Sequence, residues 1–294
     1  MREPLHLHLT RNLRHFQKPQ RKPMEIATIT QHAFFAVPPA EVFAIFTDAD
    51  LHRAMSGGER AEIEPRVGGR FEVFDGAVSA TFRELLADRR IVQTWRERDW
   101  PAGHHGLLEL RFIAVNAGRG THVQLTLAGV PELRADATAN GWRDYYWVPI
   151  SEYLRDAKLR PVRRLVYELK NHGNLASVDE VFGEKSEVHL KLDAELAGCP
   201  RSGRELQKEI GRRVFAAFSD VHVEVEDQIV EGDRVVQRQR ATGVHTGEFM
   251  GIAATGRTVN WTGNHIYRID HGRIAEVWSE VSLHDLLAQL REPA

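Results

Sequence analysis

The stretch that decides the fold is Thr258-Val259-Asn260-Trp261-Thr262-Gly263-Asn264-His265-Ile266-Tyr267-Arg268-Ile269-Asp270-His271-Gly272-Arg273-Ile274-Ala275-Glu276-Val277-Trp278-Ser279-Glu280-Val281. Two β-prone runs, 258–269 and 273–281, flank Asp270-His271-Gly272. Asp and Gly tolerate the backbone of a tight turn, so the runs are expected to pair as an antiparallel hairpin. Alternation along the second run puts Glu276, Trp278 and Glu280 on one face and Val277, Ser279 and Val281 on the other. If the first face lines a pocket, Glu280 or Glu276 supplies a buried acid. If it faces outward, both are solvated surface charges.

Runs 221–230 and 234–245 precede this hairpin, joined by Glu231-Gly232-Asp233, and a loop at 247–256 leads into it. Before them lie two helical stretches. One carries Leu165, Val166 and Leu169 and stops at the turn Asn171-His172-Gly173-Asn174; the other spans 203–218. Leu175, Val178 and Val181 lie between them, and a short helix at 283–290 closes the chain. Helices first and four long strands afterwards give an α+β cone with one concave face.

The first half reads differently. A strand at 26–35 is broken by Val37-Pro38-Pro39-Ala40. Pro39 opens one helix with an apolar face of Val42, Phe43, Ile45 and Phe46, which residues 48–51 end. Short runs at 61–65, 69–74, 79–86, 90–97, 106–115 and 121–128 make a meander. Residues 140–159 are helical in character and carry Trp142, Tyr145, Tyr146, Trp147, Ile150, Tyr153 and Leu154. Pro149 within them must start or kink a helix. The basic run ending at Pro161 is expected to stop this helix. The resulting division is 1–24 (a basic extension, expected to be disordered), 25–160 and 161–294, with no internal repeat linking the halves.

Bulk properties exclude several classes. The chain has 294 residues, 42% hydrophobic and 27% charged, as in ordinary globular proteins. A net charge of −2 gives no basic field for nucleic acid. No run of about 18 apolar residues exists to span a membrane. The single cysteine, Cys199 in Gly198-Cys199-Pro200-Arg201, rules out an intrachain disulfide and suits a cytoplasmic chain. Residues 1–22 carry six Lys/Arg and one acid, which also fits a transit peptide; the reading kept is a basic tail upstream of a start at Met24. His104 and His105 are adjacent and point apart in an extended chain, a poor metal pair. Zinc spacing, a phosphate loop and a nucleophile elbow are all absent from the sequence, so no metal or cofactor is expected.

The blocks His245-Thr246-Gly247-Glu248-Phe249-Met250-Gly251-Ile252, Ala253-Ala254-Thr255-Gly256-Arg257, Ile266-Tyr267-Arg268-Ile269 and Asp270-His271-Gly272-Arg273-Ile274-Ala275-Glu276-Val277-Trp278, closed by Leu286-Leu287-Ala288-Gln289-Leu290, together resemble the SnoaL-like polyketide cyclases, or ester cyclases. Phe218-Ser219-Asp220-Val221-His222 and Glu231-Gly232-Asp233-Arg234-Val235 fit the same family. The resemblance implies the cone-barrel fold of nuclear transport factor and ketosteroid isomerase, an apolar pocket, and an aldol-type ring closure that needs no cofactor. A last-strand carboxylate acts as acid and base in that reaction, its pKa raised by an apolar pocket. The family often places an Asp directly after the last-strand Trp or four residues after it; here those positions hold Ser279 and Ser282.

The earlier Val37-Pro38-Pro39-Ala40-Glu41-Val42-Phe43-Ala44-Ile45-Phe46-Thr47, Arg66-Val67-Gly68-Gly69-Arg70-Phe71 and Gly141-Trp142 with Tyr145-Tyr146-Trp147 and Tyr153-Leu154 resemble the SRPBCC superfamily, in its branch of activator of heat-shock-protein ATPase homologues. That resemblance implies a helix-grip fold, a curved antiparallel sheet around a long C-terminal helix, with a hydrophobic tunnel.

The expected catalytic residues are therefore His265, Glu280 and Glu276, and the expected ligand-binding residues are Trp278, His245, Trp261, Tyr146 and Trp142. A structural role competes at each one: a satisfied strand histidine at His265, a loop contact at His245 and Glu248, a surface contact at Arg268, and core packing for the aromatic cluster. The partner expected is a small apolar ligand or substrate, not a nucleic acid or a membrane, and a homodimer through the open sheet is compatible with the fold. The function expected is cyclase-like turnover of an apolar carbonyl compound. The alternatives are a two-pocket binding protein without catalysis and a chaperone accessory acting through the first domain.

Overall fold

A computed structural model describes residues 24–190 and 203–292. The basic extension and Cys199 lie outside the described residues. In the first half, β1 (Ile26–Phe35) leads to α1 (Pro39–Ile45), which starts on a proline because the first-turn N–H needs no partner. The helix was expected to end at 48–51. Instead Asp48 caps a second helix, α2 (Ala49–Met55), its carboxylate accepting from the N–H groups of Asp50 and Leu51 at 2.8 and 3.0 Å. An acid that looked like a stop signal is a start signal.

Strands β2 (Glu62–Ile63), β3 (Arg70–Val73), β4 (Val78–Leu86), β5 (Arg90–Glu97), β6 (Gly106–Val115) and β7 (Gly120–Pro131) follow, every neighbouring pair antiparallel. The sheet order is β1-β7-β6-β5-β4-β3-β2, so the first strand returns beside the last. Alternation decides the faces: Leu108, Leu110 and Phe112 of β6 point to the core while Leu107 and Ile113 point away.

A long helical element fills the concave face. It runs through α3 (Ala135–Trp142), a π turn at Arg143–Trp147, α4 (Val148–Arg164) and a second π turn at Leu165–Lys170. Pro149 lacks the N–H that an α-ladder needs, and the widened turn just before it lets the helix continue past. The expected stop at Pro161 is not found, since the helix passes through that residue. Ile150 and Leu154 are buried in the first core, and Leu159, Val162, Leu165 and Leu169 in a second. Burying this continuous apolar stripe outweighs the roughly 3 kcal/mol that an internal proline costs.

In the second half, α5 (Ser177–Val181) precedes β8 (Phe182–Leu190), α6 (Gly203–Ala217), β9 (Phe218–Glu231), β10 (Arg234–His245), β11 (Thr258–Asp270), β12 (Arg273–Val281) and α7 (Leu283–Arg291). The sheet order is β8-β12-β11-β10-β9. Sequence pattern gave four of these strands and missed β8. Phe182-Gly183-Glu184-Lys185-Ser186-Glu187-Val188-His189-Leu190 is mostly polar because it is an edge strand, pairing parallel to β12 on one side only. The fold is α+β in two domains: a curved antiparallel sheet gripping a late helix, then an α+β cone.

Candidate functional site

The inner face of the second sheet, under α6 and the second π turn, encloses a cavity of about 560 Å³. Most of its wall is apolar, with Leu165, Leu169, Phe215, Phe218, Trp261, Val277 and Leu286 among the lining residues. Polar side chains join them: Lys170, Gln239, His265, Tyr267 and Ser279, with Gln207, Arg213 and Glu248 also lining it. Their convergence follows from strand register. Gln237, His265 and Ser279 lie in one row across β10, β11 and β12, with Gln239 and Gly263 in the next row and Tyr267 opposite Val277 on the other side.

His265 Nδ1 lies 2.8 Å from Ser279 Oγ. Burial first, and the facing Lys170 charge second, hold the imidazole well below the usual histidine range, so it is neutral at pH 7. Its other nitrogen leans over Gly263, where an added Cβ would come within 2.7 Å of Nε2. Gly263 is therefore the space into which the ring fits.

Lys170 ends the second π turn. The turn is pinned to β9 by Asn171, whose amide donates to Val223 O at 3.1 Å and accepts from Val223 N–H at 2.6 Å. The Lys170 ammonium donates to Gln239 Oε1 at 2.7 Å and lies 3.5 Å from Tyr267 Oη. Burial pushes its pKa down to about 7, so far more of it is free amine at neutral pH than for an exposed lysine. Burial pushes the Tyr267 phenol well up, which keeps its proton available for donation. Gln239 donates in turn to Gln237 at 2.6 Å, and Gln237 to Gln228 at 2.7 Å, so the buried amides are paired in a chain.

The carboxylates expected at the site lie elsewhere. Val277, Ser279 and Val281 line the cavity, so Glu276, Trp278 and Glu280 occupy the outer face. By strand parity, neither carboxylate expected as catalytic lines this cavity. Glu276 is bonded to Arg268 Nε at 3.0 Å and His189 Nε2 at 2.9 Å. Burial works to raise its pKa, but these two hydrogen bonds outweigh it and hold the carboxyl below its usual range. Trp278 stacks on His189 with ring centroids 5.3 Å apart, and Arg234 sits 4.8 Å over the indole, so Trp278 packs on the outer face and does not line this cavity. Glu187, His189 and Glu276 bring ligand atoms within 4.8 Å of one another on this outer face, with Glu276 already engaged by Arg268.

His245 is fully buried behind the cavity wall. Its Nδ1 accepts from the Thr255 N–H at 3.3 Å and lies 3.1 Å from Thr255 Oγ1, bracing the loop before β11. Trp261 does line the cavity. In the first domain, Trp142 and Tyr146 stack at 4.3 Å, with Trp95 4.9 Å from Trp142, in the centre of the core. They also form the inner wall of a second hollow of about 530 Å³ that carries Glu97 and Arg134. Beside them His52 is buried among Phe71, Phe74 and Tyr146 with both ring nitrogens unpartnered; burial pushes its pKa down to about 4.

The sequence reading missed Lys170, Tyr267 and Gln239. The signal for Lys170 was present: at helical spacing it follows Val166 by four residues and so shares an apolar face.

Known proteins match the two halves separately. A family model for SnoaL-like polyketide cyclase matches residues 160–290, and one for activator of Hsp90 ATPase homolog 1-like protein matches residues 36–155. The human activator of 90 kDa heat shock protein ATPase homolog 1 is 32% identical over 139 residues, covering 46% of this chain and 40% of that protein. The chain thus spans about 40% of the length of the curated relatives it matches first. Among solved structures, IdmH from Streptomyces antibioticus, described as a candidate polyketide cyclase, is 32% identical, covers 45% of this chain and 97% of its own, and has a TM-score of 0.41. PFC0360w, an HSP90 activator from Plasmodium falciparum, is 28% identical, covers 43% and 95%, and has a TM-score of 0.41. Among the described residues no helix is long and apolar enough to cross a membrane. The chain joins a domain similar to the Hsp90 ATPase activator homologues, in its N-terminal half, to one similar to the SnoaL-like polyketide cyclases, in its C-terminal half.

Proposed function

We propose that the C-terminal domain takes up a small apolar carbonyl compound and works on it by acid–base chemistry. The supporting observation is the convergence of His265, Ser279, Lys170, Tyr267 and Gln239 in one largely apolar cavity. Apolar walls hold the carbon skeleton, and a few placed polar groups orient the carbonyl. The neutral imidazole of His265 removes a proton from the carbon beside the carbonyl. Ser279 fixes the orientation of the ring through Nδ1. The Tyr267 hydroxyl donates to the carbonyl oxygen as negative charge develops there. The enolate so formed is the nucleophile that an aldol-type ring closure requires.

Proton removal can be assayed without knowing the natural substrate. In D₂O, the full chain is expected to accelerate deuterium incorporation beside the carbonyl of 2-tetralone, followed by proton NMR. His265→Gln is expected to lose about two orders of magnitude of that rate, while Glu276→Gln and Glu280→Gln retain it. Exchange no faster than in buffer, or insensitive to His265→Gln, contradicts the proposal.

For the N-terminal domain, the match of residues 36–155 favours a separate reading. We infer that this domain engages a protein partner, an ATPase of the 90 kDa heat-shock class. The purified chain is then expected to bind such an ATPase and raise its ATP turnover, and absence of both effects contradicts that reading.

A further inference from the structure

Among the described residues, Lys158 is buried and Lys170 largely shielded, in quite different ways. Lys158 Nζ lies 3.2 Å from the Glu41 carboxylate, an ordinary ion pair. Lys170 has a neutral amide acceptor, Gln239 Oε1 at 2.7 Å, and a phenol, Tyr267 Oη at 3.5 Å. The cavity around it includes one acid among its lining residues, Glu248, which is exposed. A buried ammonium with no carboxylate beside it costs stability unless it sheds its proton. A lysine in that setting, opening into a largely apolar cavity, has the features of an amine nucleophile.

We propose that Lys170 condenses covalently with the carbonyl compound that enters this cavity, forming an imine on Nζ. The proposal rests on the reading of the cavity as a carbonyl site. The amine lone pair attacks the carbonyl carbon, forming the C–N bond and moving the carbonyl π electrons onto oxygen. Both amine protons then leave on that oxygen as water, and the carbonyl C–O bond breaks as C=N forms. Tyr267 Oη, within reach of Nζ, passes protons between nitrogen and oxygen. Gln239 Oε1 accepts one amine N–H and so aims the lone pair away from the amide. No oxidant or reductant is consumed. Once protonated, the imine withdraws electrons from the neighbouring carbon more strongly than the ketone does, and His265 stands on the same cavity wall to take the proton released there.

The test uses 2,4-pentanedione, a 1,3-diketone that condenses with an unprotonated amine to give a conjugated enaminone. The full chain at pH 7 is incubated with the reagent, followed by absorbance, and mapped by peptide mass spectrometry. Occupancy of the cavity is followed in parallel with the environment-sensitive dye 8-anilinonaphthalene-1-sulfonate, an aromatic anion that fluoresces in apolar sites. Labelling at Lys170 is expected to run roughly a hundredfold faster than at an exposed lysine, because far more of its amine is free at that pH. Lys170→Met is expected to abolish the fast phase of the absorbance rise while dye still binds. Dye binding without an adduct on Lys170 in the unmodified chain overturns the imine proposal and leaves the cavity reading standing. Loss of both signals in that chain overturns both.

Discussion

His265 and Ser279 face each other across the β11–β12 pairing, with Nδ1 2.8 Å from Oγ. Ser279 occupies the position directly after the last-strand tryptophan, one of the two where the resemblance to SnoaL-like cyclases implies an aspartate. The position lies inside the cavity, and a hydroxyl stands there. The contact therefore orients a neutral imidazole, where a carboxylate would charge it.

Ser279→Asp tests this directly. A carboxylate beside the ring favours the imidazolium, so the His265 pKa is expected to rise by about one unit or more. Nitrogen-15 NMR of the histidine side chains against pH reads the change. An unchanged His265 titration would show that the two side chains do not communicate.

Gly263→Ala probes the space that the ring occupies. The added methyl would meet His265 Nε2 at 2.7 Å, so the imidazole must turn and the bond to Ser279 must lengthen. Tetralone exchange is expected to fall severalfold or more while the urea midpoint moves little. The reverse pattern, with stability lost and exchange intact, would place the glycine's role in the backbone.

Lys170 gives a pH signature of stability. Its folded pKa of about 7 lies below the unfolded value of 10.5, so the unfolded chain binds more protons between those limits. Stability is therefore penalised below pH 7 and recovers as pH rises from 7 towards 10.5. The full effect is on the order of 5 kcal/mol as an upper bound. Lys170→Met is expected to flatten this slope and to be the more stable protein at pH 6, as urea titrations at pH 6 and 9 would read.

His52 carries the opposite end of the pH range. Its pKa is about 4 in the folded chain against 6.5 unfolded, so stability is full above pH 6.5 and falls as pH drops towards 4. The loss is on the order of 3 kcal/mol. His52→Phe removes two buried nitrogens without partners and is expected to abolish most of this acid sensitivity. A thermal melt series from pH 4.5 to 7.5 measures it.

Particular elements show what was legible in the sequence. The strand at 26–35 and those at 90–97 and 106–115 were read to the residue, because each alternates cleanly between turn signals. The parity of the last strand was also legible, but which face pointed inward was not. Parity says which side chains travel together, and only the packing of α6 and the π turns says which set is enclosed. Glu276 and Glu280 flank that tryptophan, where the resemblance implies an acid whichever face it takes. Lys170 was passed over because a lysine before a turn usually caps a helix end. The helix through Pro161 was missed because a local stop signal was outweighed by burial on both sides of it.

The claim that the C-terminal cavity is the working site is tested most directly by titrating 2-tetralone into the full chain and following all histidine side chains by NMR. The His265 signals are expected to shift in a saturable way, while those of His52, in the core of the other domain, stay fixed. Saturable shifts at His52 with His265 unmoved, or no shift at any histidine up to the ketone's solubility, would contradict the account.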